Sequence, residues 1–404
     1  MTKSLPFPFA VLLAGLFAAA TSAQTPEVPF KIGTWNLEFL GADEGHRDMS
    51  PPGDERGPRT AIAPRTEADL AAIGKKVLEL GVCVLAVQEI NDDATLRKVA
   101  AGAGPHWHSL LGTSGSWDDG KTAQRIGFVY DTRAVDLLFA EQLDDLPRTF
   151  EGAPIFHRVP VTACFRHKES GCDFRLVTVH LKASKGAAND QKRRGEATAL
   201  ATWLDGLRVD GEDGDVLLLG DFNCTYGTEP ETIFERGKRM RYLEQPHATP
   251  TIMHFPEPID QVVVSTLFHE VRPDSLTVDN DCDGLAREVW RKTYSDHFPV
   301  TVTLVGRGDD DPQATFRQGP VAHRLPRELE RIPTPTTTKP PVVVEPEAWP
   351  PRVGQKMQVT TLEDIVQGEL AAPIPDAAHG FVVLQTVHGT LAIPLARVRS
   401  ILLR

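Results

Sequence analysis

Six apolar runs in this chain begin or end on acidic, amide or imidazole side chains. Phe30–Trp35 runs into Asn36, with Glu38 two residues on, and Val82–Gln88 ends at Glu89. Phe174–Val179 ends at His180, then Leu181-Lys182, and Val216–Gly220 ends at Asp221, with Asn223 two residues on. Ile259-Asp260-Gln261 opens Val262–Val264, and Asp296-His297 opens Phe298–Leu304. Short apolar runs of this kind read as strands, and polar groups at strand ends gather at one edge of a sheet, where function concentrates. Carboxylate and amide oxygens suit a hard divalent cation, while histidine moves protons near neutral pH. A single glutamate after a strand is more often an ordinary exposed end than a ligand. Six such interruptions, all built from Asp, Asn, Glu and His, carry more weight.

The elements that would position these residues alternate along 24–305. Thr66 and Asp69 are spaced as a capping box, and Leu70, Ile73, Val77 and Leu80 follow at helical spacing. A second helix is predicted near Asp190–Leu207, burying Ala197, Leu200, Leu204 and Leu207. Further strands are predicted at Ile126–Tyr130, Ala134–Phe139, Val159–Phe165 and Phe174–Val179. Helices outside two packed sheets fit this α/β order. Gly41–Arg65 reads as a long polar surface loop, a length that is usually functional or disordered. Residues 311–352 read as a Pro-rich, semi-rigid linker. Beyond it, residues 353–404 recover apolar patterning. A strand within Gly354–Thr361 and a hairpin from Phe381 to Pro394, turning at His388-Gly389, predict a small all-β, SH3-like barrel without a catalytic cluster. It is read as a spacer or attachment module for an unknown partner.

At 404 residues and 41% hydrophobic content the chain can bury a sizeable core, which excludes wholesale disorder. Residues 24–310 carry 32 basic against 46 acidic side chains, a net −14. That surface repels phosphates at long range, which disfavours tight, extensive DNA wrapping, and any phosphoester must be handled locally beside a cation. Lys3, the apolar stretch Phe7–Ala20 and Thr21-Ser22-Ala23 read as a secretory signal over residues 1–23, with cleavage expected near Ala23 and a secreted or periplasmic product; the alternative is an uncleaved anchor. The apolar stretch is short for a transmembrane helix. Export permits disulfides. Of five cysteines, Cys83 lies in a buried-strand pattern and is read as free, Cys164 and Cys172 flank a hairpin-like turn, and Cys224 with Cys282 would make the second bridge.

The motifs Thr34-Trp35-Asn36-Leu37-Glu38, Leu85-Ala86-Val87-Gln88-Glu89-Ile90, Val179-His180-Leu181-Lys182, Leu219-Gly220-Asp221-Phe222-Asn223, Ile259-Asp260 and Ser295-Asp296-His297-Phe298-Pro299-Val300 stand in the order of the endonuclease/exonuclease/phosphatase superfamily, which the chain resembles over about residues 30–305. The resemblance implies a four-layer α-β-β-α sandwich of the deoxyribonuclease-I type for the unit 24–310, and a Mg²⁺-dependent phosphoric ester hydrolase, with Mn²⁺ as an alternative ion. A phosphodiester is anionic and resists water, so a divalent cation would polarise it and stabilise the leaving oxygen. Glu89 is the first candidate ligand and Asp296 the next, with Asn36 and Glu38 helping directly or through water. The resemblance makes His297 the general base, oriented by Asp260. It gives Asp221 and Asn223 the attacking water or the transition-state oxygens, and His180 a phosphate oxygen or the leaving group. His180-Leu181-Lys182-Ala183-Ser184-Lys185-Gly186 is similar to secreted bacterial nucleases and the pancreatic-deoxyribonuclease branch.

Lys182, Lys185, Lys192, Arg193 and Arg194 form a basic stretch that could grip backbone phosphates, or be a solvated helix start. Arg125 is a further phosphate candidate. Asp279, Asp281 and Asp283 copy the first half of a calcium loop, but position twelve is Trp290 rather than Glu, so a structural Ca²⁺ there competes with a plain acidic loop. The expected activity is therefore a secreted phosphodiesterase, a nuclease acting on DNA or RNA. The alternatives are hydrolysis of a lipid, inositol or other small phosphoester, and a non-catalytic binding protein.

Overall fold

The computed structural model describes residues 26–41, 64–115, 123–225, 227–243 and 249–325, together with five strand backbones between Lys356 and Leu403. Residues 1–25, 42–63 and 326–355, which hold the expected signal segment, most of the polar loop Gly41–Arg65 and most of the Pro-rich linker, lie outside the described residues.

The elements run β1 (Val28–Leu40), α1 (Glu67–Glu79), β2 (Val82–Ile90), α2 (Asp93–Ala103), β3 (Trp107–Leu111), β4 (Arg125–Asp131), β5 (Val135–Gln142), the short pair β6 (Thr149–Phe150) and β7 (Ala153–Pro154), β8 (Val161–His167), β9 (Asp173–His180), α3 (Ala187–Val209), β10 (Val216–Asp221), α4 (Glu229–Glu235), β11 (Met240–Tyr242), β12 (Asp260–Ser265), β13 (Thr277–Val278), α5 (Arg287–Thr293) and β14 (Val300–Gly306). They build two six-stranded sheets. The first has the order β13-β14-β1-β2-β4-β3 and the second β11-β12-β10-β9-β8-β5. Each is antiparallel except for one central parallel pair, β1 with β2 and β9 with β10.

Three apolar layers hold the sandwich. Phe30, Ile32, Val84 and Phe128 of the first sheet meet Phe165, Phe174, Leu176, Leu217 and Val262 of the second. On the outer side of the first sheet, Leu70, Ile73 and Val77 of α1 and Leu96 and Val99 of α2 pack on Leu85, Val87 and Val129. On the outer side of the second, Ala197, Leu200 and Leu204 of α3 cover Val177, Val179 and Leu218. Central strands covered on both faces lose the polar alternation of a half-exposed strand, which is why every residue of β2 is apolar until Gln88-Glu89 and buried throughout. The Thr66–Asp69 capping box starts α1 as the spacing predicts, with both reciprocal bonds made.

Residues 311–325 belong to this unit: Leu325 joins the core between the sheets, and Arg324 bridges to Glu141. Arg175, almost fully buried, pairs with Glu212 at 2.9 Å and lies against the rings of Phe139, Trp203 and Phe316. The C-terminal strands β15 (Lys356–Thr361), β16 (Ile365–Leu370), β17 (Phe381–Thr386), β18 (Gly389–Pro394) and β19 (Val398–Leu403) form one antiparallel sheet in the order β18-β17-β16-β15-β19. The expected hairpin is there, pairing Thr386 with Gly389.

The expected disulfides are not formed, and all five cysteines are buried free thiols. The register explains the first pair. Cys164 stands opposite Arg175 in the β8–β9 ladder, whereas Cys172 shares the parity of Phe174, so the two point to opposite faces. In the second pair, Cys224 packs under α3 and Cys282 beneath the other helical layer.

Candidate active site

Both parallel strand pairs release their polar ends at the same pole of the sandwich. β1 pairs with β2 up to Asn36 and Gln88 and then breaks register, and β2 breaks register with β4 between Val87 and Ile90. Within these bulges Glu38 (φ 47°), Phe39 (φ 48°) and Glu89 (φ 60°) take left-handed backbone conformations that cost non-glycine residues of order 1 kcal/mol or more. Bulges of this kind re-aim side chains, and here they turn Glu89 across the end of the sheet toward the partner sheet. On that side, β9 ends at His180 and β10 at Asp221, paired directly in register, and Asp221 in turn faces Asp260 on β12.

Hydrogen bonds then tie the two sheets together. Asn36 Nδ2 donates to Glu89 Oε1 (3.2 Å) and to Asp221 Oδ2 (3.1 Å). Glu89 Oε2 accepts from the Phe39 amide at 3.1 Å. His297 Nδ1 meets Asp260 Oδ2 at 2.8 Å, and its Nε2 lies 3.9 Å from both Asp221 Oδ2 and Asp296 Oδ1. His180 Nε2 lies 3.4 Å from Asp221 Oδ2 and 3.7 Å from Glu89 Oε1. The Asn223 amide donates to Asp221 Oδ1 at 2.9 Å, and Asn223 Nδ2 to the Leu181 carbonyl. Glu89, His180, Asp221, Asp260, His297, Asn36 and Asp296 thus share one neighbourhood. Glu38 sits at its edge. Its carboxylate is held by Arg291 and approached by Arg65 at 3.8 Å, and it accepts the Asp296 amide at 3.1 Å. Arg125 lies beside Ile90 in the β2–β4 ladder, at the same sheet edge, and Lys182 is half-buried two residues beyond His180.

The basic stretch divides. Arg193 is buried and donates to the Lys182 and Ser184 carbonyls at 2.5 and 2.8 Å, and Arg194 pairs with Glu151 and Glu229. Lys185 reaches over the ring of Phe255 at 5.3 Å, joining the loops after β9 and before β12. In the Asp279–Asp283 loop, Lys76 lies 2.7 Å from Asp279 and 2.6 Å from Asp283, so a side chain of the protein already answers that charge.

Burial decides the electrostatics. It pushes Asp221 up to about 7, helped by Asp260 and Glu89, and raises Glu89, helped by Asp296. Burial and then Asp296 hold Glu38 up to about 7 against Arg291. His180 is held well below its ordinary value by burial and by Arg158, so it is neutral. Burial would also lower His297, but Asp260, Asp296 and Asp221 outweigh it and hold that imidazole well above its ordinary value. Lys182 is lowered by burial and Arg158.

Several supporting residues are absent from the strand-end pattern. Arg158 is buried and donates to the carbonyls of His180 and Leu181, fixing the end of β9. Glu196 of α3 accepts the Lys182 and Phe156 amides at 2.7 and 3.0 Å. Ser295 Oγ donates to the Asn36 carbonyl and accepts the His297 amide, and Thr251 Oγ1 accepts the Ile259 and Asp260 amides. Ser295 stands inside a conspicuous motif; Arg158, Glu196 and Thr251 have no local signal.

The donor set suits a hard divalent cation. Glu89, His180 and Asp221 each offer an atom within 4.8 Å of the others, as do Asp221, Asp260 and His297. Asp260 Oδ1 is shut off from solvent without a hydrogen-bond partner among the described residues. Oxygen donors on a partly open pole match magnesium, which keeps several waters.

No protein-family model and no curated protein sequence matches the chain. Solved structures do. The human Nocturnin catalytic domain, with bound sulfate, aligns over 68% of this chain and 93% of its own at 14% identity and TM-score 0.48. An endonuclease/exonuclease/phosphatase family protein of Bacteroides thetaiotaomicron aligns over 70% and 99% at 18% identity and TM-score 0.48. A mannosyl-6-phosphatase of the same organism aligns over 68% and 98% at 17% and 0.46. The chain is similar to endonuclease/exonuclease/phosphatase family proteins.

Proposed function

We propose that this chain is a metal-dependent phosphodiesterase of the endonuclease/exonuclease/phosphatase superfamily that hydrolyses the backbone of DNA or RNA. The observation that carries the reading is the meeting of a His–Asp pair with a carboxylate-rich donor set at one pole. Glu89 and Asp296, with Asp221 in reach, would hold a Mg²⁺ that polarises the phosphate and offsets charge on the leaving oxygen. Asp260 accepts from His297 Nδ1–H, which leaves Nε2 as the basic atom facing the site. Asp221 and Asn223 hold the attacking water, and His297 Nε2 takes its proton as the water attacks phosphorus in line. His180, kept neutral, carries its proton on Nε2, the nitrogen that faces Asp221 and Glu89, and donates it as a hydrogen bond to a phosphate oxygen. Lys182 and Arg125 flank the site for the neighbouring phosphates.

The acidic charge of the catalytic unit favours a second reading, hydrolysis of a small phosphoester. The deciding assay offers the purified protein with Mg²⁺ plasmid DNA, RNA, a nitrophenyl phosphodiester and a phospholipid side by side. Cleavage of nucleic acid, abolished by EDTA and reduced at least about a thousandfold in His297→Ala, roughly 4 kcal/mol of barrier, is the expected result. Full activity in EDTA, or a near-normal rate in the variant, sinks the assignment.

A further inference from the structure

The far pole of the sandwich carries a second group of carboxylates that the proposed reaction does not use. Asp215 precedes β10, whose other end is Asp221; Glu270 follows β12, whose first residue is Asp260; Asp310 follows β14. Six residues of strand at about 3.3 Å each separate the two ends by roughly 20 Å. Asp215, Glu270 and Asp310 each place a carboxylate oxygen within 4.8 Å of the others. Asp213 and Asp311 lie beside them and reach one another.

We infer that this far pole is a calcium site, in which Asp215 and Glu270 from the second sheet and Asp310 from the first bind one Ca²⁺ between the sheets, with Asp213 and Asp311 completing its oxygen shell. Asp215 is 5% exposed, yet its carboxylate has no hydrogen-bond or ion-pair partner among the described residues. It points at two further carboxylates instead. Asp311 Oδ1 is shut off from solvent and likewise has no hydrogen-bond partner among the described residues. The pole also lacks an answering charge. No Lys, Arg or His forms an ion pair with any of the five acids among the described residues; nearby Arg166 is paired with Asp173 and Arg307 with Glu27. The Asp279–Asp283 loop is the contrast, because Lys76 enters it. Buried carboxylates without such a partner either hold protons or hold a cation. Burial and the surrounding acids push Asp215 up to about 10, so the protonated form is the competitor. Calcium takes six to eight oxygens in adaptable geometry, which several converging carboxylates can supply, whereas magnesium demands a tight octahedron.

The test keeps the far pole separate from the active site. Isothermal titration of CaCl2 into the full chain carrying Glu89→Ala, which removes the active-site donor, is expected to show a single Ca²⁺ equivalent at sub-millimolar to millimolar affinity. Adding Asp215→Asn or Asp310→Asn should weaken it at least tenfold. In the same Glu89→Ala background, CaCl2 at about 1 mM should raise Tm, and adding Asp310→Asn should abolish that rise. Asp310 is exposed, so its variant carries the test if Asp215→Asn does not fold. With Glu89 intact, Asp310→Asn should hydrolyse phosphoesters at the natural rate, so failure of the proposed activity and failure of this site read out separately. No calcium heat in Glu89→Ala, binding unmoved by Asp310→Asn, or Mg²⁺ bound as tightly as Ca²⁺ would each overturn the assignment.

Discussion

His297 faces two opposed demands. As the proposed general base it must be neutral, yet Asp260 at 2.8 Å stabilises its cation. The raised imidazole pKa therefore predicts an acid limb: activity is lost as pH falls through the His297 pKa and recovers as pH rises. Asp260→Asn removes the carboxylate that favours the imidazolium. An opposite charge at this range is worth about 1–3 pH units, so the acid limb should move down by about 1 unit or more while kcat falls. A kcat/KM profile across pH 5–9, roughly the range in which histidine titrates, reads this directly. A rate that drops without any movement of the limb would make Asp260 a purely positional partner. The signs also agree for stability. A histidine raised on folding contributes stability below its unfolded pKa, and that contribution is lost as pH rises through the folded value.

At the scale of elements, the site depends on strands that stop, bulge or pass very close to one another. Gly220, just before Asp221, has φ 146°, and a Cβ placed there would lie 2.0 Å from the Val179 carbonyl oxygen of the neighbouring parallel strand. That close approach lets β9 and β10 deliver His180 and Asp221 side by side. Gly220→Ala should cost about 3 kcal/mol or more, from strained backbone and backbone-to-backbone overlap. Thermal melting should show it as a Tm lowered by roughly 6–12 °C; an unchanged Tm would mean that the ladder shifts freely. Strand ends of this sort were legible in the sequence because a strand covered on both faces is apolar throughout, so Glu89 or His180 at its end stands out. The bulges at Glu38 and Glu89 were not legible, since a left-handed glutamate carries no local mark. Nor were Arg158, Glu196 and Arg65, whose partners are 14 or more residues away and are mostly backbone carbonyls, backbone amides or a single distant carboxylate. The cysteines misled for a related reason: a hairpin suggests that its flanking thiols pair, but one step of register puts Cys164 and Cys172 on opposite faces.

For the molecule as a whole, the net −14 of residues 24–310 sets an electrostatic limit on any polyanionic substrate. Local positive charge must overcome it, and the described structure narrows the contributors. Within the basic stretch, Arg193 and Arg194 are engaged with the protein's own carbonyls and carboxylates, which leaves Lys182, Lys185 and Lys192 along the lip after β9, with Arg125 across the site at the edge of the first sheet. If these three lysines each neutralise a phosphate of duplex DNA, binding weakens with a logarithmic salt slope of about −0.9 per contact, so KM should rise roughly 40-fold between about 50 and 200 mM salt. A nitrophenyl phosphodiester reaches the same catalytic groups without touching that lip, and its KM should hardly move. Lys185→Ala, which also releases Phe255 of the facing loop, should reduce the slope for DNA by about one contact and leave hydrolysis of the small diester intact. Equal, shallow salt dependence for both substrates would instead favour a small phosphoester as the substrate of this acidic sandwich, with the lysines merely solvating the start of α3.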